Sequence, residues 1–110
     1  MLITKENKIL ALLGFAQKAG KIHSGDTAVL AALESRKTKL VLMAHDAADS
    51  TRDKLIKQCA SDRVKLIEIS NKDGLGSAIG KAQRAAVAIT DRNFAQAILK
   101  RYEDDSEVCQ

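Results

Sequence analysis

His23, Ser24 and Asp26 fall within four residues of one another and are the residue types of a hydrolytic triad. A triad is a spatial arrangement of nucleophile, base and orienting acid, so adjacency in sequence does not build one. Other stretches approach known chemistry and miss it. Gly74-LGSAI-Gly80 has the G-x-G-x-x-x-G spacing of a near-dinucleotide fingerprint. That fingerprint needs its first glycine at the turn leaving a strand, where pyrophosphate meets a helix start. Here a cap and a helical turn separate the strand pattern ending at Ile69 from Gly74, so the glycines are read as packing residues of a short helix. Gly14-FAQKA-Gly20-Lys21 has five residues between its glycines where a P-loop has four, lacks the magnesium-binding Ser or Thr, and follows a helical pattern. His23, His45, Asp46 and Cys59 show no metal-ligand spacing. These readings point away from an enzyme and imply neither metal nor cofactor.

One stretch does carry a physical function. Lys18 to Leu33 reads KAGKIHSGDTAVLAAL: a basic turn, a short strand, a polar Ser24-Gly25-Asp26-Thr27 step and an alanine- and leucine-rich helix. The first N–H groups of a helix lack intrahelical partners and the dipole is positive there, so such a start attracts anions. Basic residues gather at Lys18 and Lys21, in Arg36-Lys37-Thr38-Lys39, and at Lys81 and Arg84. Taken alone, they are equally the solvated lysines of an ordinary surface.

The elements that must position these residues alternate along the chain. Thr4 is expected to cap a first helix with Ile9, Leu10, Leu12, Leu13 and Ala16 inward, ended by Gly20. Ile22 and His23 form a short strand. Ser24 is expected to cap a second helix with Val29, Leu30 and Leu33 inward. Leu40 to Ala44 is a continuous apolar strand, as in a sheet covered on both faces. Ser50-Thr51-Arg52-Asp53 has capping spacing and starts a third helix with Leu55, Ile56 and Cys59 inward. Val64 to Ile69 alternates as a strand nearer an edge. Ser70-Asn71-Lys72-Asp73 repeats the capping spacing before a short helix ending at Gly80. Ala85 to Ile89 is another buried strand, and Thr90 or Asp91 caps a last helix bearing Phe94, Ile98, Leu99 and Tyr102. This order predicts an α/β fold, a three-layer α/β/α sandwich around a small four-stranded mixed sheet. Periodicity leaves the strand directions open.

Bulk properties agree. The chain has 110 residues, 45% of them apolar, which suits one domain over residues 1–103 with an acidic, frayed tail over 104–110. No apolar run approaches the ~20 residues that span a bilayer. The first residues, MLITKENK, lack the apolar core of a signal peptide. Cys59 and Cys109 form no CxxC or zinc pattern, so a reducing, cytoplasmic location is expected. The formal net charge is +4, compatible with a polyanionic partner. Phe15, Phe94 and Tyr102 are the only aromatic residues. Phe15 and Phe94 fall in helical patterns and are assigned to the core, so a nucleic acid would be gripped by backbone and shape instead of by stacked bases.

With the elements placed, the sequence resembles the kink-turn RNA-binding family of ribosomal proteins, in its small bacterial YlxQ-like branch. The resemblance rests on LLGFAQKAGKIHSG, KTKLVLMAHDAA, KQCASDRVKL and LGSAIGKAQRAAVAITD, and spans roughly residues 7 to 99. It implies the same sandwich fold and the binding of structured RNA, ribosomal RNA included, with a ribosome-associated protein as a further partner and no chemistry. In the family, a G-x-N-E-x-x-K pattern at the start of the second helix reads tandem G·A pairs beside a sharp RNA bend. On this chain the glycine is Gly25, the asparagine position is Thr27, the glutamate position is Ala28 and the lysine position is Ala31. The family loop before the last buried strand packs on the flipped-out nucleotide; here it is Lys81-Ala82-Gln83-Arg84. The predicted RNA site is therefore Lys18, Lys21, Ser24, Gly25, Asp26, Thr27, Lys81 and Arg84. Two alternatives stay open: a protein–protein module that kept the fold and lost RNA reading, and a small-molecule binder or enzyme using Gly74–Gly80 or His45-Asp46.

Overall fold

The computed structural model describes residues 4–103. The predicted tail and Cys109 lie outside them. The elements run α1 (Lys5–Lys18), β1 (Ile22–Ser24), α2 (Asp26–Glu34), β2 (Leu40–Met43), α3 (Asp49–Asp62), β3 (Lys65–Glu68), α4 (Lys72–Ala78), β4 (Ala86–Ile89) and α5 (Arg92–Glu103). The four strands form one mixed sheet in the order β1-β4-β2-β3. β2 and β3 are parallel, while β4 runs antiparallel to both of its neighbours, β1 and β2.

Strand periodicity sorts the helices into two layers. Alternate side chains of a strand face opposite sides, so Leu40, Leu42, Val87 and Ile89 meet the layer of α1, α4 and α5, packing with Ile9, Leu13, Leu75 and Ile98. Val41, Met43, Ala86 and Ala88 meet the layer of α2 and α3, packing with Val29, Leu33, Leu55 and Cys59. Every residue of the two central strands is buried, as a sheet covered on both faces requires. Burying a side chain of this size contributes about 1.5–3 kcal/mol each, so the layers dock through β2 and β4. β3 lies at an edge and is less covered than the central strands: only Ile67 is buried, Leu66 and Glu68 are half-buried and Lys65 is exposed. The architecture is the three-layer α/β/α sandwich anticipated above.

Two helix starts follow their capping signals. Thr4 Oγ1 accepts the Asn7 N–H at 3.0 Å, and Asp91 Oδ2 accepts the Phe94 N–H at 2.9 Å. The three serine-led starts are corrected. Ser24 is the last residue of β1, and Gly25 is the N-cap of α2 with no side-chain cap. The reason is strand pairing: the Gly25 N–H donates to Ala86 O at 3.0 Å, carrying the ladder one residue further, and the turn then needs φ +95°, which glycine adopts freely. Ser50 lies inside α3, which begins at Asp49 after Ala48. Ser70 has φ +61°, and Asn71 caps α4 by accepting the Gly74 N–H at 2.7 Å.

Two apolar assignments also change. Ile56 is 47% exposed and Phe15 is 60% exposed. Each directly neighbours a buried residue, Leu55 or Ala16, and one step around a helix is about 100°, enough to leave the buried stripe. Among the described residues no helix is long and apolar enough to cross a membrane.

The sheet has two ends with different contents. At the entry end, where β4 begins, β1, β2 and β3 finish and α2, α3 and α4 start. At the exit end, where β4 finishes, α1, α2 and α3 terminate and α5 starts.

Candidate nucleic-acid interface

The entry end is assembled by hydrogen bonds between loops. Gly25 N–H to Ala86 O ties the β1–α2 turn to β4, and Ala44 N–H to Ala85 O at 2.8 Å ties the β2–α3 loop to the same strand. His45 N–H donates to Ser70 O at 2.9 Å, and Asp46 Oδ1 accepts the Lys72 N–H at 2.8 Å, joining that loop to the β3–α4 turn. The α4–β4 loop closes the surface: the Arg84 N–H donates to Lys72 O at 3.0 Å.

Arg84 fastens this loop in two directions. Its Nε donates to Ser24 Oγ at 3.3 Å, and its Nη1 donates to Gln83 O at 2.9 Å and Ala82 O at 3.3 Å. A planar guanidinium with several fixed donors suits this bridging; a lysine ammonium does not. Asp73 Oδ1 accepts from Gln83 Nε2 at 2.7 Å and braces the other side of the loop. Gly76 permits the close approach beneath it, since a Cβ there would overlap the Ala82 carbonyl.

The start of α2 is modified by its own acid. Asp26 Oδ1 accepts the Thr27 N–H at 2.9 Å, so the carboxylate occupies part of the seat an external anion would take. Thr27 and Ala31 are exposed and Ala28 is half-buried, so two of the three family reading positions open to solvent and the third borders it.

A charged cluster stands at the same end and was not singled out from the sequence. Arg52 Nη2 donates to Glu68 Oε2 at 2.8 Å and Nη1 to Oε1 at 3.3 Å, a two-pronged pair between α3 and β3. His45 Nδ1 lies 3.0 Å from Glu68 Oε1 and donates, because the carboxylate can only accept. The Arg52 hydrogen bond, followed by that of His45, holds the Glu68 carboxyl down at about 2. Only the edge position of Val64 to Ile69 hinted at this cluster; the pairing is 16 residues apart and depends on the fold. The His45-Asp46 alternative is thereby occupied: His45 serves Glu68 and Asp46 caps α4. Among the described residues no group of three His, Cys, Asp or Glu side chains is placed to hold a metal ion.

The predicted site residues do not all meet. Ser24, Gly25, Asp26, Thr27, Lys81 and Arg84 belong to the entry end. Lys18 and Lys21 do not. The Lys21 carbonyl accepts the Thr90 N–H at 2.9 Å and the Thr90 hydroxyl at 3.0 Å, which puts it at the exit end. From Lys21 to Gly25 the extended chain covers about 13 Å at the usual strand rise. A chain-local reading joins these residues; the direction of β1 parts them.

Comparison with known proteins is consistent across its levels. Residues 7–99 match the Ribosomal protein L7Ae/L30e/S12e/Gadd45 family. The chain is 35% identical over 88 residues to the RNA-binding protein YlxQ of Bacillus subtilis (strain 168), a match covering 80% of this chain and 88% of that one. It is 33% identical over 85 residues to the large ribosomal subunit protein eL8 of Thermoplasma volcanium, covering 76% and 70%. A solved structure of a protein with unknown function from Bacillus halodurans C superposes with a TM-score of 0.85 at 30% identity, covering 88% of this chain and 98% of that one. The Giardia lamblia 15.5kD RNA binding protein shares the fold, with a TM-score of 0.75 at 23% identity over 87% and 85% of the two chains.

Proposed function

The chain belongs to the ribosomal protein L7Ae/L30e/S12e/Gadd45 family, and from that membership we propose that it is a non-enzymatic binder of structured RNA, either kink-turn-like or ribosomal, that works in association with the ribosome. The observation that carries the reading is the clasp at the entry end. Arg84 and Gly25 fix the α4–β4 loop and the β1–α2 turn to one another, so two segments 60 residues apart present one preformed surface. Preformed loops bind without a large ordering cost. The names of the YlxQ and eL8 relatives support RNA, and ribosomal RNA in particular, as the partner.

In this reading Thr27 offers its hydroxyl to a base edge, Lys81 meets phosphate, and Ser24, Gly25 and Arg84 set the shape of the groove that receives the bend. Asp26 accepts from a base amino group. Ala28 and Ala31 offer no side-chain hydrogen bond, and each lost bidentate base contact removes about 1–3 kcal/mol of discrimination. The RNA is then selected by its bent shape more than by its sequence.

Crosslinking in cells of the source, followed by sequencing of the recovered RNA, tests this directly. Discrete crosslinks in a structured RNA, with the crosslinked peptides at Ser24–Thr27 and Lys81–Arg84, are the expected result. Diffuse or absent crosslinks would remove the reading. The same alanines favour a second reading, a protein–protein module on the retained scaffold. It predicts a protein partner that co-purifies after RNase treatment.

A further inference from the structure

The entry end is not where the positive charge is. Arg52, Lys72, Lys81 and Arg84 stand there with Asp26, Asp46, Asp49, Glu68 and Asp73, so its carboxylates outnumber its permanent cations. A polyanion would gain little from the net field of such a surface.

The exit end is the opposite. Lys21 precedes the β1 residue paired with Ile89, and Lys39 precedes the β2 residue paired with the same Ile89. Continued by one residue, the ladder sets both lysines beside Thr90, two strand spacings or about 10 Å apart. The Lys39 N–H to Ile89 O bond at 2.7 Å and the paired bonds from Thr90 to the Lys21 carbonyl fix this arrangement. Lys18, Arg36, Lys37 and Arg92 surround it, all exposed. Arg36 takes φ +62° just past the end of α2, where glycine is the usual choice. Arg63 and Lys65, where α3 ends and β3 begins beside Leu40, bring the cations to eight against Glu34, Asp62, Asp91 and Glu103; Glu103 holds Lys65, and Asp91 already accepts the Phe94 N–H. The excess equals the formal net charge of the whole chain, +4. Cations at helix ends complement the dipole, which accounts for Lys18 and Arg36 but not for Lys21, Lys37 or Lys39.

A ring stands beside them. Phe15, 60% exposed, lies three residues before Lys18 on α1 and so neighbours it on the helix surface. Ile56, the other exposed large apolar residue among those described, is on α3 in the opposite layer. An anionic membrane surface is engaged by an apolar face of several side chains. A lone ring among lysines instead matches the pairing of stacking and phosphate contacts used on single-stranded RNA.

We infer that the exit end is a second RNA-contact surface, which takes the phosphate backbone of an unpaired RNA segment across Lys21, Lys37 and Lys39 and stacks one base on Phe15. The protein then holds two RNA segments at opposite ends of one sheet. It draws on the exposure of Phe15, which the sequence pattern assigns to the core.

The test uses a fluorescein-labelled oligouridylate of about 12 nucleotides, which has no bend for the entry end to recognise. The full chain should bind it at about 50 mM salt, with log affinity falling linearly in log salt as phosphate contacts demand. Lys37→Glu with Lys39→Glu should weaken binding at least about tenfold and flatten the salt slope. Phe15→Ala should weaken it about tenfold and leave the slope unchanged. Lys54→Glu, an equal charge change at an exposed position in the middle of α3, should alter neither. All these positions are exposed, and thermal melts check that each variant is folded. No binding by the full chain, an unchanged affinity in the folded double variant, or binding to phosphatidylglycerol vesicles in place of the oligouridylate would each overturn the inference.

Discussion

Arg84 Nε donates to Ser24 Oγ across 3.3 Å and 60 residues of chain, joining the loop before β4 to the strand end before α2. If this clasp shapes the proposed recognition surface, charge alone cannot replace it. Arg84→Lys keeps the charge but loses the fork that reaches Ser24, Ala82 and Gln83. The expected outcome is an affinity for a bent RNA lowered about tenfold with an unchanged salt slope, whereas Lys81→Glu lowers the slope by about one. Fluorescence anisotropy over a salt series measures both. Wild-type affinity in Arg84→Lys would reduce Arg84 to a plain cation.

The replaced reading positions can be restored. Thr27 and Ala31 are exposed and Ala28 is half-buried. Thr27→Asn, Ala28→Glu and Ala31→Lys together rebuild the pattern that the family resemblance places there. The triple variant should gain at least about tenfold in affinity for a kink-turn over a straight duplex, at about 1–3 kcal/mol per bidentate contact. An unchanged preference would mean that the groove beside α2 is not where the bend is read.

Gly76 sits where α4 passes under the α4–β4 loop. The added methyl of Gly76→Ala would meet the Ala82 backbone, which cannot rotate aside. Overpacking of this kind costs about 1–3 kcal/mol. The variant should therefore melt several degrees lower, and its RNA affinity should fall with it, because the displaced segment carries Lys81 and Arg84. Differential scanning fluorimetry and a binding titration on the same sample read the two effects.

Glu68 gives the fold an acid-sensitive tie. Its carboxyl is held down at about 2 by Arg52 and then His45, against an ordinary value of 4.5. The unfolded chain therefore takes up this proton first. The stability contributed is present in full above about 4.5 and is lost as pH falls toward about 2. Glu68→Gln should be less stable than wild type at neutral pH, and the gap between their urea midpoints should narrow below about pH 4.5 and close only as pH reaches about 2. The pair is about one-third exposed, so the gap at neutral pH is modest.

Cys59 is 2% exposed, and burial, with the Asp62 carboxylate adding to it, pushes its thiol up to about 11. The thiolate is the nucleophile. In a Cys109→Ser chain, iodoacetamide at neutral pH should leave the native protein unlabelled and modify Cys59 only when denaturant is added. Rapid labelling of the native chain would show that the layer of α2 and α3 opens readily.

Much of the fold can be read from the amino acids because the informative patterns are local. The apolar runs at Leu40 and Ala86 announce central strands, and the spacing of Ile9, Leu13 and Ala16 announces a buried stripe. Thr4 and Asp91 cap as their types suggest. Ser24, Ser50 and Ser70 do not, since a cap competes with strand pairing and with neighbouring residues that start the helix equally well. Ser24 loses to the hydrogen bond between Gly25 and Ala86, and no window around Ser24 contains Ala86. The grouping of the candidate site residues is hidden from the sequence for the same reason. Lys18, Lys21 and Ser24 are neighbours in the sequence, yet β1 carries them to opposite ends. Arg84 is distant in sequence and becomes Ser24's partner. Which cations share a surface is decided by strand direction, and periodicity carries no direction.

The edge position of β3 has a consequence for how these molecules behave when crowded. An exposed strand edge is a template for intermolecular pairing, and proteins blunt it with charge and shortness. β3 begins on Lys65, whose Nζ is held by Glu103 Oε2 at 2.7 Å, and ends on Glu68, held by Arg52. A second copy adding a strand there would have to strip water from both ion pairs. The opposite edge, β1, offers three residues. The sheet is closed to growth at both margins, so concentrated solutions of the protein should stay clear and give no cross-β signature.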